Sequence, residues 1–297
     1  MKPVRNKIKV KVPATSANLG SGFDCAGLAY DLYNYFEFEV IDSGLIIEGC
    51  DKRYANRDNP AFVAYSAVCE KIGADVSVKI TILETNVPVS RGLGSSATLI
   101  CAGAYAANKL YGEKLTPEEI FEICTEIEGH PDNVAPALFG SFCTSLITQG
   151  KAKTVRFGVS DKIVFTVLIP DFEVKTHDAR SVLPHEIERD DAIYNMSRIA
   201  LLPYAFEKGD FELLRVVTRD RLHQKYRKKL FRNIDDIKKA SQECGAISFM
   251  ISGAGSTCLC LSEKSIEKEL NEKISAMPNG WVAKELRISV NGTREVL

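Results

Sequence analysis

The sequence lacks the features of several large protein classes. No apolar run approaches the roughly 18 residues that a transmembrane helix needs, and the N-terminal residues 1–7 have no apolar signal core. The nine cysteines include no Cys-x-x-Cys pair. The net charge of −1 gives no bulk attraction to nucleic acid. We therefore expect a soluble cytoplasmic protein with reduced thiols and neither a nucleic-acid nor a membrane partner.

The length and composition predict a globular protein of two domains. The chain has 297 residues, of which 45% are hydrophobic and 26% charged. The pattern changes at the Gly-Lys-Ala-Lys segment that begins at Gly150, where we place the boundary between domains 1–150 and 151–297. The second half reads as a strand, several helices, two strands joined by a glycine-rich turn, a helix and a final strand.

The most informative stretch is residues 88–97, Pro-Val-Ser-Arg-Gly-Leu-Gly-Ser-Ser-Ala, which runs into an apolar helix. Gly92 and Gly94 let a backbone approach a ligand closely, and we expect Ser95 or Ser96 to cap the helix. Free N–H groups and the positive end of the helix dipole favour an anion. The stretch therefore predicts a phosphate site.

Three interpretations of this stretch remain open. It can be an ordinary glycine-rich turn before a core helix. It also satisfies the dinucleotide pattern G-x-G-x-x-A, but that motif needs a strand leading directly into the first glycine, and residues 85–88 intervene here. A nucleotide phosphate loop of a non-Walker type, without Gly-Lys-Ser/Thr, fits the context best.

Other candidate residues each have a structural and a functional interpretation. The turn at residues 252–257, Ser-Gly-Ala-Gly-Ser-Thr, suits a hairpin or a polyphosphate. Glu122 suits a solvated helix face or a Mg²⁺ ligand. His130, Asp132 and Asn133 suit a helix start or the orientation of a substrate hydroxyl. Arg180 and Arg227 are either surface charges or a pair that binds a carboxylate in bidentate geometry.

Five segments, in this order, resemble the GHMP small-molecule kinases, and within them the branch that phosphorylates homoserine. They are residues 12–24, 88–97, 128–140, 176–184 and 252–257. The resemblance implies an α+β fold with two domains, the first with a left-handed βαβ crossover and the second ferredoxin-like. It also implies ATP, Mg²⁺, phosphorylation of the homoserine γ-hydroxyl in threonine biosynthesis, and a homodimer.

The resemblance also implies roles for individual residues. Ser96 and Glu122 would hold Mg²⁺, and Asn59 would contact the adenosine moiety. Residues 92–96 would cradle the β- and γ-phosphates. The full set of residues expected to bind ATP is Asn59, Pro88, Arg91, Gly92, Leu93, Gly94, Ser95, Ser96 and Ala97.

The amino-acid substrate would occupy a separate group of residues. By resemblance, Asp24 would take the ammonium of homoserine, and Arg180 and Arg227 its carboxylate. Asn18, His130 and Asn133 would orient the hydroxyl, and Gly255 would complete the substrate site. We expect the residues closest to the chemistry to be Asn133, His130 and Glu122.

One departure from the family pattern bears on mechanism. Many GHMP kinases have an aspartate base where this chain has Asn133, and an amide cannot accept the proton. Phosphoryl transfer depends chiefly on positioning and charge stabilisation, so we expect no side-chain general base. Two further positions depart from the family pattern: Thr98 replaces the usual Ala, and Ser256 replaces the usual Pro.

Three alternatives remain open. One is a GHMP kinase for another small alcohol. The second is an NAD(P)-binding oxidoreductase, and the third is a nucleotide-binding protein without catalysis.

Overall fold

The computed structural model describes residues 1–296 and contains two β-sheets with their helices. The strands are β1 (Lys7–Ala17), β2 (Ala26–Val40), β3 (Leu45–Glu48), β4 (Val78–Glu84), β5 (Phe142–Thr148), β6 (Lys151–Phe157), β7 (Val164–Ile169), β8 (Ser248–Ile251), β9 (Cys258–Ser262), β10 (Val282–Leu286) and β11 (Arg294–Glu295). The helices are α1 (Pro60–Ile72), α2 (Ser95–Leu110), α3 (Pro117–Glu128), α4 (Pro131–Phe139), α5 (Thr176–Ser181), α6 (Arg189–Ile199), α7 (Leu202–Lys208), α8 (Phe211–Val217), α9 (Gln224–Arg227), α10 (Ile234–Glu243) and α11 (Glu267–Ile274). Two short 3₁₀ helices lie at Lys52–Tyr54 and Lys228–Leu230.

The larger sheet has the order β11-β1-β2-β4-β3, and β5 and β6 continue from β2. Apolar and charged residues alternate at the start of β1, where Ile8 and Val10 are buried and Lys7 and Lys9 are exposed. Strand β2 is long enough to pair with β4 through one half and with β5 through the other. Helices α1 to α4 cover one face of this sheet in a common hydrophobic core.

The smaller sheet has the order β10-β7-β9-β8 and is antiparallel throughout. Helices α10 and α11 pack on one face. The opposite face shares a core with the larger sheet, where the rings of Phe142 and Phe206 stack with centroids 5.1 Å apart. The predicted order of elements agrees with the structure from β7 to β10, but it omitted β6 before β7 and β11 at the end of the chain.

Helix termini position the site residues. The predicted capping box of α3 is confirmed, because Thr116 accepts from the Glu119 N–H and the Glu119 carboxylate accepts from the Thr116 N–H. The prediction that Ser95 or Ser96 caps α2 is wrong. The N-cap is Gly94, whose φ of 71° suits glycine, and within residues 1–296 no side chain caps this helix.

The division at residue 150 stays a prediction. Strand β6 pairs along its length with β5, and β11 returns from the end of the chain to pair with β1, so both belong to the larger sheet. Residue 297, the last of the expected second domain, lies outside the described residues. All nine cysteines are free. Within residues 1–296, the helices are too short or too polar to cross a membrane.

Candidate active site

Both glycine-rich segments line one cavity of about 530 Å³. Most of the residues predicted from the sequence line it too: Asn18, Asp24, Asn59, Arg91, Gly92, Gly94, Ser95, Ser96, His130, Asn133, Arg180, Arg227 and Gly255. Leu93 and Ala97 are buried behind the loop. The structure thus brings together residues that are up to 237 positions apart in the chain, from Asn18 to Gly255.

The two glycine-rich segments are bonded to each other. The Ser252 hydroxyl donates to the Gly92 carbonyl across 2.6 Å, and the Thr257 N–H donates to the Arg91 carbonyl across 2.9 Å. A β-carbon at Gly92 would collide with the Ser252 carbonyl oxygen. Gly92 is therefore required for this contact, which fixes the first loop (residues 92–96, the glycine-serine loop) on the second domain.

A buried pair of side chains lies directly behind the glycine-serine loop. The Thr15 hydroxyl donates to Oδ1 of Asn133 across 2.7 Å, and the Thr15 backbone N–H donates to the Leu93 carbonyl across 3.0 Å. A β-carbon at Gly94 would collide with the Thr15 hydroxyl. Thr15, which the sequence analysis did not single out, thus joins the loop to Asn133.

The carboxylate that contacts the glycine-serine loop belongs to Glu128. The Ser96 hydroxyl donates to Oε2 of Glu128 across 2.7 Å, and both residues line the cavity. Glu122 lies earlier on α3 and, among the described residues, is outside the cavity wall. The geometry therefore favours Glu128 over Glu122 as the carboxylate partner of Ser96, and the metal role expected for Glu122 stays a prediction. Burial raises the pKa of Glu128 despite the opposing Ser96 hydrogen bond.

His130 and Asp132 form a pair at the start of α4. The ring Nδ1 of His130 lies 2.5 Å from Oδ1 of Asp132, whose side chain is almost fully buried. Burial alone would lower the pKa of His130, but the hydrogen bond to Asp132 and the charges of Asp132 and Glu128 raise it overall. The pairing restricts the orientation of the imidazole, which lines the cavity.

Asp24 and Arg180 form a bidentate ion pair in the cavity. The two terminal nitrogens of Arg180 donate to the two carboxylate oxygens of Asp24 across 3.0 and 2.9 Å. The Asp24 N–H donates to Oδ1 of Asn18 across 3.0 Å, and both residues have positive φ. The hydrogen bond and the charge of Asp24 raise the pKa of Arg180. The loop between β1 and β2 therefore presents an anion and the second domain presents a cation.

Arg227 is the buried cation of the cavity. Its Nε donates to the Ala179 carbonyl across 3.1 Å, and Nη1 donates to the Gly253 carbonyl across 2.9 Å. Within residues 1–296, no hydrogen bond uses its Nη2. Burial lowers the pKa of Arg227, although an arginine stays charged at any physiological pH.

The buried imidazole of His223 contacts the guanidinium of Arg227. Its Nδ1 lies 3.3 Å from Nη1 of Arg227, and its Nε2 lies 3.0 Å from the Gly20 carbonyl. Since a carbonyl accepts and a guanidinium donates, both contacts are satisfied by the neutral ring with its proton on Nε2. Burial lowers the pKa of His223, which favours that neutral form.

Asn59 is placed on the cavity wall, but its side chain is used elsewhere. Its Oδ1 accepts from the Ala61 N–H across 3.0 Å as the N-cap of α1, and its Nδ2 donates to the Tyr54 carbonyl across 2.9 Å. The structural role therefore accounts for both polar ends of the amide. Tyr54 also lines the cavity beside it.

Arg91 connects the glycine-serine loop to the second domain. It donates to the carbonyls of Pro170 and Asp171 across 3.2 and 3.0 Å, and it lies 3.2 Å from the Glu173 carboxylate. Pro88 precedes the loop and is half-buried.

Several lining residues were missed at the sequence level. Glu128 immediately precedes the Gly-His-Pro-Asp-Asn segment, so its proximity to the cavity could have been anticipated from the helix C-cap at Gly129. Thr176 begins the segment that contains Arg180 and also lines the cavity. Within residues 1–296, no cluster of three or more His, Cys, Asp or Glu side chains could hold a metal by itself.

Comparisons with known proteins define the class. Residues 57–141 match the model of the GHMP kinases N-terminal domain, and residues 204–279 match that of the GHMP kinases C-terminal domain. The chain therefore belongs to the GHMP kinase family, and within it to the homoserine kinases. The predicted family and the two-domain α+β fold are confirmed.

Relatives support this assignment over nearly the full length. The chain is 40% identical over 289 residues to the homoserine kinase of Clostridium botulinum strain 657, covering 96% of this chain and 97% of that one. A crystal structure of homoserine kinase from Cytophaga hutchinsonii superimposes with a TM-score of 0.89 at 27% identity, covering 100% of this chain and 99% of the other. An L. major mevalonate kinase shares the fold, with a TM-score of 0.75 at 18% identity, covering 97% of this chain and 98% of that one.

Proposed function

We propose that this enzyme transfers the γ-phosphoryl group of ATP to the γ-hydroxyl of L-homoserine, giving O-phospho-L-homoserine. The observation that carries the proposal is that one cavity combines two different kinds of binding surface. The glycine-serine loop at the start of α2 suits phosphates, and Asp24, Arg180 and Arg227 suit a zwitterionic amino acid.

The phosphate side uses the backbone. Because Gly94 caps α2 without a side chain, the first N–H groups of the helix remain available to an anion. The helix dipole adds favourable electrostatics at the same end. The bonds of the loop to Ser252 and Thr257 hold it in place before ATP binds, so little reorganisation is needed.

We assign a Mg²⁺ site to Ser96 and Glu128. Mg²⁺ in nucleotide enzymes prefers one or two carboxylates together with phosphate oxygens and water, and one hydroxyl with one carboxylate, bonded across 2.7 Å, fits that donor set. When bound, the cation neutralises charge on the phosphates. The raised pKa of Glu128 is consistent with a carboxylate that gains from a nearby positive charge.

The amino-acid side uses charge complementarity. The homoserine ammonium would bind the Asp24 carboxylate, and its carboxylate would bind Arg180 and the free Nη2 of Arg227. A zwitterion offers both Asp24 and Arg180 an opposite charge, so it can replace the ion pair that they form with each other. Asn18, which holds the Asp24 backbone, and Gly255 complete this side of the site.

We propose that Asn133 orients the acceptor hydroxyl without removing its proton. Its Oδ1 accepts from Thr15, which leaves Nδ2 to donate. Rate enhancement would come from positioning the hydroxyl against the phosphoryl group, and the proton would pass to a phosphate oxygen or water. His130 favours its protonated form through its raised pKa, so it is suited to donate a hydrogen bond.

A coupled assay of ADP release with Mg²⁺ tests the proposed function. We expect turnover with L-homoserine to exceed turnover with mevalonate, shikimate and simple sugars by several orders of magnitude in kcat/KM. A higher kcat/KM for another alcohol would show that the enzyme is a kinase for that substrate class instead. Binding of ATP without turnover of any alcohol, or tight NAD(P) binding without ATP binding, would contradict it.

We also propose, from the family resemblance, that the chain forms a homodimer. Several large apolar side chains on α6 and α7 are exposed in the single chain, among them Met196 and Tyr204. Light scattering after size-exclusion chromatography tests this, since one chain has a mass of 32.8 kDa. A species of that mass at micromolar concentration would contradict the dimer.

A further inference from the structure

A second cavity, of about 630 Å³, lies among α8, α9, α10 and β8. Its lining residues are all different from those of the active-site cavity. The function proposed above makes no use of it. We call it the cationic cavity because of the side chains around it.

Positive charge is concentrated at this cavity. Six lysine and arginine residues line it: Arg215, Arg219, Arg221, Lys225, Lys228 and Lys238. Only two carboxylates do so, Asp220 and Asp235. The chain as a whole has 38 basic and 39 acidic residues, so the excess of positive charge is a local property of this surface.

Neighbouring carboxylates pair with only half of these cations. Arg221 and Lys225 share Asp191, at 3.4 and 2.5 Å, and Lys228 pairs with Asp235 at 2.7 Å. Within residues 1–296, Arg215, Arg219 and Lys238 have no salt bridge. These three come from α8, the following loop and α10, so they face the cavity from different elements.

Asp220 does not offset these cations through direct contact, because its carboxylate is occupied. It accepts from the N–H groups of Leu222, His223 and Gln224 across 3.0, 3.0 and 2.8 Å. It also accepts from the Asn195 amide across 2.8 Å. These bonds fix the start of α9, the helix that carries Arg227 on its other side.

Apolar residues also line the cavity, and we call the four named here its apolar floor. Ile234 comes from α10, and Ile247, Phe249 and Ile251 come from β8 and the residue before it. Strand β8 is an edge of the smaller sheet, and its Ile251 N–H is satisfied by the Gln224 side chain across 2.8 Å instead of by another strand. The lining of the cavity therefore combines apolar and cationic side chains.

We propose that the cationic cavity binds a small phosphorylated molecule that has an apolar or planar body. Guanidinium groups bind phosphate oxygens in bidentate geometry. The apolar floor favours a ligand whose uncharged part can be buried against Phe249 and Ile247. The volume is sufficient for a molecule of that kind, and inorganic phosphate alone would leave the floor uncovered.

Phenyl phosphate is a suitable probe. Inorganic phosphate and benzyl alcohol are the control ligands, which carry only the charge or only the apolar ring. Binding is measured by calorimetry on the full chain with the active site filled by homoserine, Mg²⁺ and a non-hydrolysable ATP analogue. We expect phenyl phosphate to bind more tightly than either control ligand. The double variant Arg219→Glu/Lys238→Glu should weaken it at least tenfold, and Phe249→Ser should weaken phenyl phosphate more than inorganic phosphate.

Lys284→Glu on β10 is the matched charge-reversal control, since Lys284 is exposed and is not a lining residue of either cavity. It should bind phenyl phosphate as the wild type does. The proposal would be overturned if the Arg219→Glu/Lys238→Glu variant bound phenyl phosphate as tightly as the wild type does. It would also be overturned if no binding were detected at millimolar phenyl phosphate, or if binding disappeared when the active site is filled. Retention of ADP-release activity in every variant shows that the fold is intact.

Discussion

The Thr15 hydroxyl donates a hydrogen bond to Oδ1 of Asn133 across 2.7 Å, and the Thr15 backbone N–H donates to the Leu93 carbonyl. One buried residue of β1 therefore fixes both the loop proposed to hold phosphate and the amide proposed to hold the acceptor hydroxyl.

Thr15→Val should lower kcat by about 10- to 100-fold, since the loss of a buried hydrogen bond is worth about 1–3 kcal/mol. The volume of the side chain is kept, so the fold should persist. Thr15→Ser retains the hydroxyl and should restore most of the activity. Steady-state kinetics at saturating ATP and homoserine measure the effect. Unchanged kcat in Thr15→Val would mean that Asn133 does not need this partner.

Glu128 and Glu122 provide a matched pair on one helix. We expect Glu128→Gln to raise the Mg²⁺ concentration for half-maximal activity by about tenfold or more, because the carboxylate bonded to Ser96 is lost. Glu122→Gln should behave as the wild type, since it is outside the cavity wall of the described residues. If a Mg²⁺ titration showed the increase for Glu122→Gln and not for Glu128→Gln, Glu122 would be the Mg²⁺ ligand.

Substitutions in the amino-acid side of the cavity should affect one substrate selectively. Asp24→Asn and Arg180→Ala should each raise the homoserine KM by about 10- to 100-fold and leave the ATP KM nearly unchanged, because a charge-assisted contact is worth about 1.5–3 kcal/mol. Asp178→Asn, an exposed neighbour on α5, is the control. Equal increases in both KM values would show that these groups do not bind homoserine.

The pKa of His130 provides a test by NMR titration. Its raised pKa depends on Asp132 and Glu128, so Asp132→Asn should lower it. Because the folded-state pKa lies above the ordinary value of 6.5, the pair stabilises the fold below about pH 6.5 and that contribution is lost as pH rises through the folded-state pKa. An unchanged pKa in Asp132→Asn would contradict the assigned pairing.

The pH dependence of kcat tests the absence of a side-chain base. If Asn133 only orients the hydroxyl, Asn133→Asp should give no large gain in rate. A large gain, or a pH–rate profile with one essential side-chain base that disappears in His130→Gln, would assign proton removal to the protein.

Local signals in the sequence predicted much of the fold. The capping box at Thr116 and the glycine-serine start of α2 both depend on a few adjacent residues, so the predicted positions of α3 and α2 are close to those in the structure. The cap of α2 was misassigned because serine is the usual N-cap, whereas here the left-handed backbone of Gly94 takes that position.

The site could be predicted only in part because its contacts are long-range. Thr15 and Asn133 are 118 positions apart, and no local pattern indicates their hydrogen bond. Glu122 and Glu128 lie on one helix, and packing places Glu128 within hydrogen-bond distance of Ser96. By family resemblance we expected Asn59 to contact the adenosine moiety. Its side-chain amide instead accepts from the Ala61 N–H as the N-cap of α1 and donates to the Tyr54 carbonyl.

The central claim is that backbone N–H groups of the glycine-serine loop hold the triphosphate while a separate charged pocket presents an alcohol to it. A crystal structure with a non-hydrolysable ATP analogue, Mg²⁺ and homoserine tests it most directly. We predict the β- and γ-phosphates on residues 92–96, the ammonium on Asp24 and the carboxylate on Arg180 and Arg227. Phosphates bound away from residues 92–96, or homoserine away from Asp24, would contradict the account.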